Sequence, residues 1–528
     1  MATSAGPDAL LAEAGRLFQA GQEDAAAARC RAILERAPAH DDALHLLGVI
    51  ACRRGDFADA ASLLRRAAAL RPADPQIAGN LGRAWMGLDA PEHAVAAYRI
   101  ALAADPDSPD RLNDLGTALG AAGAAAEAEG VYRRALARAP GYAPARYNLG
   151  RLLAANGRAE AAIAELRAVL DALPADEPKR DDVAGALVSA YAARGRFEET
   201  VALCRAERRL VPDRASACWN ESLALLALGR WEEAWPLYES RWRVPAHDPP
   251  ERPTEVLDLA RVAGRHVLIL AEQGRGDVLQ FARYAPLVAA RAARVTLQVY
   301  PDLVPVLQGM SGVQVISTEA AAPACDVATP LLSLPLAFRT TPQTVPGGVP
   351  YLHVPPDRRA AWRARIGRRR GWRIGLAWRG LQHIPERTLP VTALTPLLAL
   401  EGCAFHALQK DIAEADAAWL RAHGVTLHDA ALADFADTAA LAERMDRVVT
   451  IDTSVAHLAG GLGLRGWVLL PHVPDWRWRG EDGTCPWYPT LRLIRQPAPA
   501  AWDAVLAAVT DALRAELRGA PPAADHAA

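Results

Sequence analysis

The stretch R-V-V-T-I-D-T-S-V-A-H-L-A-G-G-L-G, residues 447–463, decides the class of the C-terminal half. Val448, Val449 and Ile451 make the short apolar, β-branched run of a buried parallel strand. Asp452, Thr453 and Ser454 follow as N-cap side chains for a helix over 455–462. Backbone N–H groups at such a helix start, with the positive end of its dipole, suit a diphosphate. An ordinary capped strand-to-helix connection has the same pattern.

A second unit of this kind lies earlier. Residues 266–271 (H-V-L-I-L-A) read as another apolar strand, followed by Glu272, Gln273, Gly274, Arg275, Gly276 and Asp277 and a helical pattern over 278–291. Two strand-loop-helix units imply two nucleotide-fold lobes, and ligands of open α/β sheets sit beyond the carboxyl ends of the strands. Both loops are therefore expected at a cleft. Gly274 and Gly276 are expected to permit turns that other residues resist, leaving room for a substrate, with Asp277 a carboxylate at the mouth.

Around these units, short apolar runs alternate with helices. Strands are expected at 266–271, 295–300, 313–316, 372–378, 404–408, 448–451, 467–470 and 491–494, which makes this region α/β. The lobe boundary is expected near 354–370. Its arginine run reads either as a solvated helix face or as a phosphate or membrane site.

The N-terminal half repeats itself. Pro38, Pro72, Pro106, Pro140 and Pro174 fall 34 apart, and Leu47-Gly48, Leu81-Gly82, Leu115-Gly116 and Leu149-Gly150 keep the same step. Ala26, Ala60, Ala94, Ala128 and Ala162 mark close contacts between paired helices, and Gly21, Gly55, Gly123 and Gly157 mark the turns between them. This is the tetratricopeptide lattice of stacked helix pairs. An insertion at 175–179 shifts its phase. Six repeats are expected, with an aromatic-rich seventh holding Trp219, Trp231, Trp235 and Trp242, whose rings suit packing against the following domain, the alternative being a ligand box.

The expected division is therefore repeats over 1–246, a Pro-rich linker over 247–262, an N-terminal lobe over 263–355, a C-terminal lobe over 356–516 and a disordered tail over 517–528. A hydrophobic content of 51% over 528 residues suits packed cores, and a net charge of −2 argues against a nucleic-acid partner. Seven scattered cysteines, none in C-x-x-C spacing, suit a reducing compartment without structural zinc. No basic-then-apolar leader and no membrane-length apolar run is present, so a cytoplasmic location is expected.

The pairing of E-Q-G-R-G-D-V-L-Q-F-A-R-Y (272–284) with I-D-T-S-V-A-H-L-A-G-G-L-G (451–463) resembles the heptosyltransferase-like glycosyltransferases, family 9, of the two-lobed GT-B fold. The closest likeness is to the bacterial branch fused to tetratricopeptide repeats. The resemblance implies Asp277 as the base, with Gln273, Gly274 and Gly276 as the acceptor loop. It also implies a donor-binding turn at Asp452, Thr453, Ser454 and His457, and Arg387, in E-R-T-L-P, against the donor phosphates. His457 has an alternative reading as a helix-packing residue. Gln409 and Lys410, after another strand, read either as donor contacts or as structural. P-D-W-R-W (474–478) and P-W-Y-P (486–489) resemble signatures of the repeat-fused branch that ordinary heptosyltransferases lack, so donor identity does not carry over.

Inverting transfer needs a base for the acceptor proton and positive potential on the leaving diphosphate. The D-x-D at Asp105 and Asp107 falls in a repeat turn, so no metal and no cofactor is expected. The implied activity is sugar transfer from a nucleotide-sugar to a polypeptide held on the concave repeat surface. By resemblance to flagellin glycosyltransferases, flagellin Ser or Thr is the favoured acceptor. The alternatives are a transferase acting on lipopolysaccharide or capsule precursors, and a repeat scaffold without catalysis.

Overall fold

A 34-residue step governs the first helices: one set begins at Pro7, Asp41, Pro75, Pro109 and Ala143, and their partners begin at Glu23, Phe57, Pro91, Ala125 and Ala159. The computed structural model describes residues 6–245, 253–369, 371–380 and 388–519. Its contacts separate two compact units, Met1–Arg194 and Gly195–Ala528.

In the first unit the repeated residues do what their spacing predicts. Ala26, Ala60, Ala94, Ala128 and Ala162 are fully buried. A Cβ on Gly82 would lie 2.6 Å from the Tyr98 ring, and one on Gly116 would lie 2.6 Å from Tyr132, so each Leu-Gly pair marks where a large side chain crosses the neighbouring helix. The turns at Gly21, Gly55, Gly123 and Gly157 are left-handed, and Asp89 takes that conformation where the lattice lacks its glycine. The insertion at 175–179 delays the next helix to Arg180–Ala192.

The second unit opens with three more helices, Phe197–Leu210, Ala215–Ala227 and Trp231–Tyr238, and continues into the α/β region. That region contains two wholly parallel sheets. The first joins β1 (His266–Leu270), β2 (Arg294–Val299), β3 (Val313–Ser317) and β4 (Val327–Pro330) in the order β3-β2-β1-β4. The second joins β5 (Trp372–Ala377), β6 (Cys403–Ala407), β7 (Arg447–Ile451), β8 (Gly466–Leu470) and β9 (Leu491–Arg495) in the order β6-β5-β7-β8-β9. The fold is thus stacked helical repeats followed by an α/β region with two Rossmann-like lobes. Among the described residues no helix is long and apolar enough to cross a membrane.

Three local expectations need correction. Strand β4 escaped the pattern because it has four residues and ends in Pro330, which cannot donate to a ladder. The helix expected over 278–291 is broken into Arg275–Phe281, a 3-10 turn and Ala285–Ala289, because Pro286 supplies no N–H to continue the first segment. The arginine run is not simply a solvated face. Arg358 pairs with Asp437 at 3.0 Å and Asp434 at 3.2 Å, Arg359 pairs with Glu443 at 2.8 Å, and Arg369 pairs with Asp446.

The aromatic residues of the last helix pair are packed into the α/β region. Trp231 stacks on Trp487 with centroids 5.3 Å apart, and Trp235 donates from Nε1 to the Thr340 carbonyl at 2.7 Å. Buried Arg241 donates to both oxygens of buried Glu272, at 2.8 and 3.0 Å, directly after β1. A buried ion pair adds little stability over apolar packing, but removing one partner leaves an unpaired charge that costs several kcal/mol. Helix pair and first sheet are therefore one folding unit.

Candidate functional site

The first loop is built on β1, whose buried Val267, Leu268 and Ile269 drive the chain to the end of the sheet. Glu272 is fixed there by Arg241 and by the Leu332 N–H at 2.8 Å. The left-handed residue of the loop is Gln273, with φ of 59°, whereas Gly274 has an ordinary φ of −87°. The expectation that the glycines make the turn is corrected accordingly. Gln273 holds this conformation because its carbonyl accepts from Tyr300 Oη at 2.6 Å and its amide donates to Tyr238 Oη at 3.2 Å. Asp277 Oδ2 accepts the Gly274 N–H at 3.0 Å, which fixes its carboxylate over the start of the helix Arg275–Phe281.

The second loop follows β7. Its helix, Ser454–Gly461, begins without a side-chain cap, contrary to the expected capping by Asp452, Thr453 and Ser454. Buried Asp452 instead accepts from Trp478 Nε1 at 2.7 Å, and Thr453 Oγ1 lies 3.2 Å from Thr450 Oγ1. A partner 26 residues away has outcompeted local capping. A helix start of this kind, which Thr453 leaves without a side-chain cap, favours an anion.

His457 combines both of its readings. It is buried, its Nδ1 lies 2.9 Å from Tyr488 Oη and its ring lies 4.9 Å from that of Trp478, yet it also lines the cleft. The cleft has a volume of about 710 Å³ and opens at the carboxyl ends of both sheets. It brings together Gln273, Gly274, Gly276, Asp277, Gln409, Lys410, Asp452, Thr453, Ser454 and His457. Arg387 lies outside the described residues.

Gln409 is occupied structurally: its side-chain oxygen accepts the N–H groups of Trp378 and Arg379 at 3.2 and 3.0 Å, shaping the loop after β5. Lys410 is exposed and donates to the Ala433 carbonyl at 3.2 Å.

Three basic residues of the lining were not singled out from the sequence: Arg275, Arg379 and Arg477. Arg275 pairs with Asp302 at 3.2 Å and lies over Tyr300, and Arg379 is 4.0 Å from Asp416. Arg477 donates to Asp277 Oδ1 at 2.6 Å and to Asp475 Oδ1 at 3.0 Å. Burial opposes the Arg477 charge, but Asp277 and Asp475 outweigh it and raise its pKa. The P-D-W-R-W motif marked this loop in the sequence, though the 200-residue separation hid its partner. The described lining also carries Asp277, Asp302, Asp411, Asp434, Asp452 and Asp475, which outnumber its bases. An anion here must be held by directed donors rather than by a net positive field.

Tetratricopeptide-repeat family models match residues 11–75, 51–109 and 121–189. Protein FlbA of Caulobacter vibrioides is 28% identical over 325 residues, covering 55% of this chain and 53% of that protein. The chain thus spans about half the length of the curated relative it matches. Among solved structures, MamA is 22% identical, with 30% of this chain and 92% of that chain covered and a TM-score of 0.29. A tetratricopeptide repeat protein from Parabacteroides merdae is 17% identical, with 44% and 91% covered and a TM-score of 0.37. Repeat matches and sheet topology together make this chain a tetratricopeptide-repeat protein with a C-terminal α/β region of two parallel sheets, distantly related to Protein FlbA.

Proposed function

We propose that this chain is a cytoplasmic glycosyltransferase of the GT-B type, moving a sugar from a nucleotide-sugar to a polypeptide recruited by the repeats. The observation that carries this reading is the cleft at the carboxyl ends of two parallel sheets, lined by both the 273–277 loop and the 452–457 turn. Ligands of such sheets bind at that end.

In this reading the diphosphate lies against the start of the helix Ser454–Gly461, with Arg387 as its charged partner. Asp277 removes the acceptor hydroxyl proton as the bond from the anomeric carbon to the diphosphate breaks, inverting that carbon. Its hydrogen bonds from Gly274 and Arg477 leave acceptor positions on the carboxylate for that hydroxyl. In this reading the reaction runs without a metal, the charge that develops on the diphosphate being met by the helix start and Arg387. Tetratricopeptide arrays offer extended protein-binding surfaces, which supports a polypeptide acceptor, flagellin among the candidates.

The test is purified full-length chain incubated with a panel of nucleotide-sugars. Calorimetric binding of at least one donor, and its transfer to flagellin or another polypeptide, is expected. Failure to bind any nucleotide-sugar would remove the proposal.

A further inference from the structure

Residues 474–479, P-D-W-R-W-R, follow β8 and make contacts with both the last helices and the cleft. Trp476 packs edge-on against Trp231 at 5.8 Å and Trp235 at 5.7 Å. Arg479 donates to the carbonyl of Ala227, the last residue of the helix Ala215–Ala227, and lies 4.9 Å over Phe197. A cation is favoured at that helix end. Both anchors are thus on the helices that open the second unit.

The two residues between them reach the carboxylates of the cleft, with the Arg477 guanidinium 4.5 Å over the Trp476 ring. Arg477 holds Asp277 at 2.6 Å, and Trp478 holds Asp452 at 2.7 Å while its ring lies against His457. The Arg477 side chain is only 12% exposed, and Asp475 grips it as well, so it cannot swing freely. We infer that residues 474–479 form a strap through which the last helices set both halves of the cleft: Arg477 and Trp478 are positioning residues for Asp277 and Asp452, and Trp476 and Arg479 anchor them.

The catalytic meaning of this coupling rests on the function proposed above; its mechanical content does not. A base displaced by about 1 Å can lose two orders of magnitude in rate without any change in donor affinity. The last helices therefore belong to the active unit rather than serving only as a platform for an acceptor.

The experiment is hydrogen exchange on the full chain carrying Arg479→Gln, whose side chain lies away from the cleft. Amides of 272–281 and 452–461 are expected to exchange at least about tenfold faster together with those of 474–480, and Arg479→Lys restores protection. Trp478→Phe keeps the ring but loses the N–H, and is expected to deprotect 452–461 while sparing 272–281. If Arg479→Gln fails to fold, Trp478→Phe decides alone. Faster exchange confined to 474–480 would overturn the strap.

Turnover provides the second readout. In Arg479→Gln it is expected to fall about ten- to a hundredfold, with donor KM raised as well because the 452–457 turn loosens together with the 273–277 loop. Coupled exchange in a chain that transfers no sugar would remove the proposed function and leave the strap. Normal transfer with uncoupled exchange would do the reverse.

Discussion

A Cβ added to Gly276 would lie 2.8 Å from His457 Cδ2, so the two loops of the cleft meet with no room for a methyl group. The value of Gly276 is therefore close approach, since the left-handed turn is made by Gln273. His457 cannot easily yield, because Tyr488 Oη and the Trp478 ring hold it.

Gly276→Ala is accordingly expected to destabilise the second unit by about 1–3 kcal/mol, the usual cost of overpacking. It should also weaken donor binding. Urea unfolding and calorimetry check both, and full stability with unchanged donor affinity would show the contact to be soft.

Asp277→Asn is expected to lower transfer by about 10² to 10⁴ while leaving donor binding intact, because in the proposed mechanism the carboxylate acts on the acceptor proton. The isostere is preferable to alanine because its amide oxygen can still accept from Arg477, a hydrogen bond that alanine would remove. Steady-state kinetics with a fixed donor provides the check, and turnover above about a tenth of wild type would remove Asp277 from the mechanism.

Fragments beginning near residue 248 and at residue 195 should behave differently. The shorter one loses Arg241, leaving Glu272 buried without its cation, and uncovers Trp476 and Trp487. Loss of one partner from such a pair costs about 3–5 kcal/mol. The fragment from Gly195 is expected to melt cooperatively and bind donor, whereas the fragment from 248 is expected to aggregate or bind a hydrophobic dye. A well-folded 248–528 fragment would show the helices to be dispensable.

Stability should also fall in acid through a histidine pair. His406 Nδ1 lies 3.1 Å from His428 Nε2, and burial, with the charges of His428 and Arg373, lowers His406 to about 4. Burial and Arg365 likewise lower His428 to about 4. A depressed pKa means that the unfolded chain binds more protons, so this stability is present above about pH 6.5 and is lost as pH falls toward 4. Each pKa unit corresponds to about 1.4 kcal/mol, so the pair together contributes a few kcal/mol. Urea unfolding from pH 7 to 4 should be visibly flatter in His428→Phe. An identical slope would show that other groups dominate.

Much of this fold was legible because it is periodic or local. The 34-residue step placed the repeat helices, and apolar runs located every strand except β4, too short and too close to Pro330 to register. The density of tryptophan in the last repeat foretold packing against the α/β region. What the sequence concealed is non-local: Asp452 bonds Trp478 rather than capping its own helix, Glu272 is claimed by Arg241, and Asp277 is claimed by Arg477. Buried polar groups take partners wherever the fold presents them, and separations of 26 to 200 residues leave no local pattern.

Chelation tests the donor site. If backbone N–H groups and Arg387 hold the diphosphate as proposed, EDTA is expected to leave transfer unchanged. Loss of activity that Mn²⁺ or Mg²⁺ restores would contradict this arrangement.

The most direct measurement is intact-protein mass spectrometry of flagellin and total protein from three strains: parent, deletion, and the Asp277→Asn allele at the native locus. A glycan mass present on a polypeptide in the parent is expected to vanish in both mutants, with Asp277→Asn protein at normal abundance. Unchanged polypeptide masses in the deletion strain, accompanied by a truncated lipopolysaccharide, would contradict polypeptide transfer and assign the cleft to a saccharide acceptor.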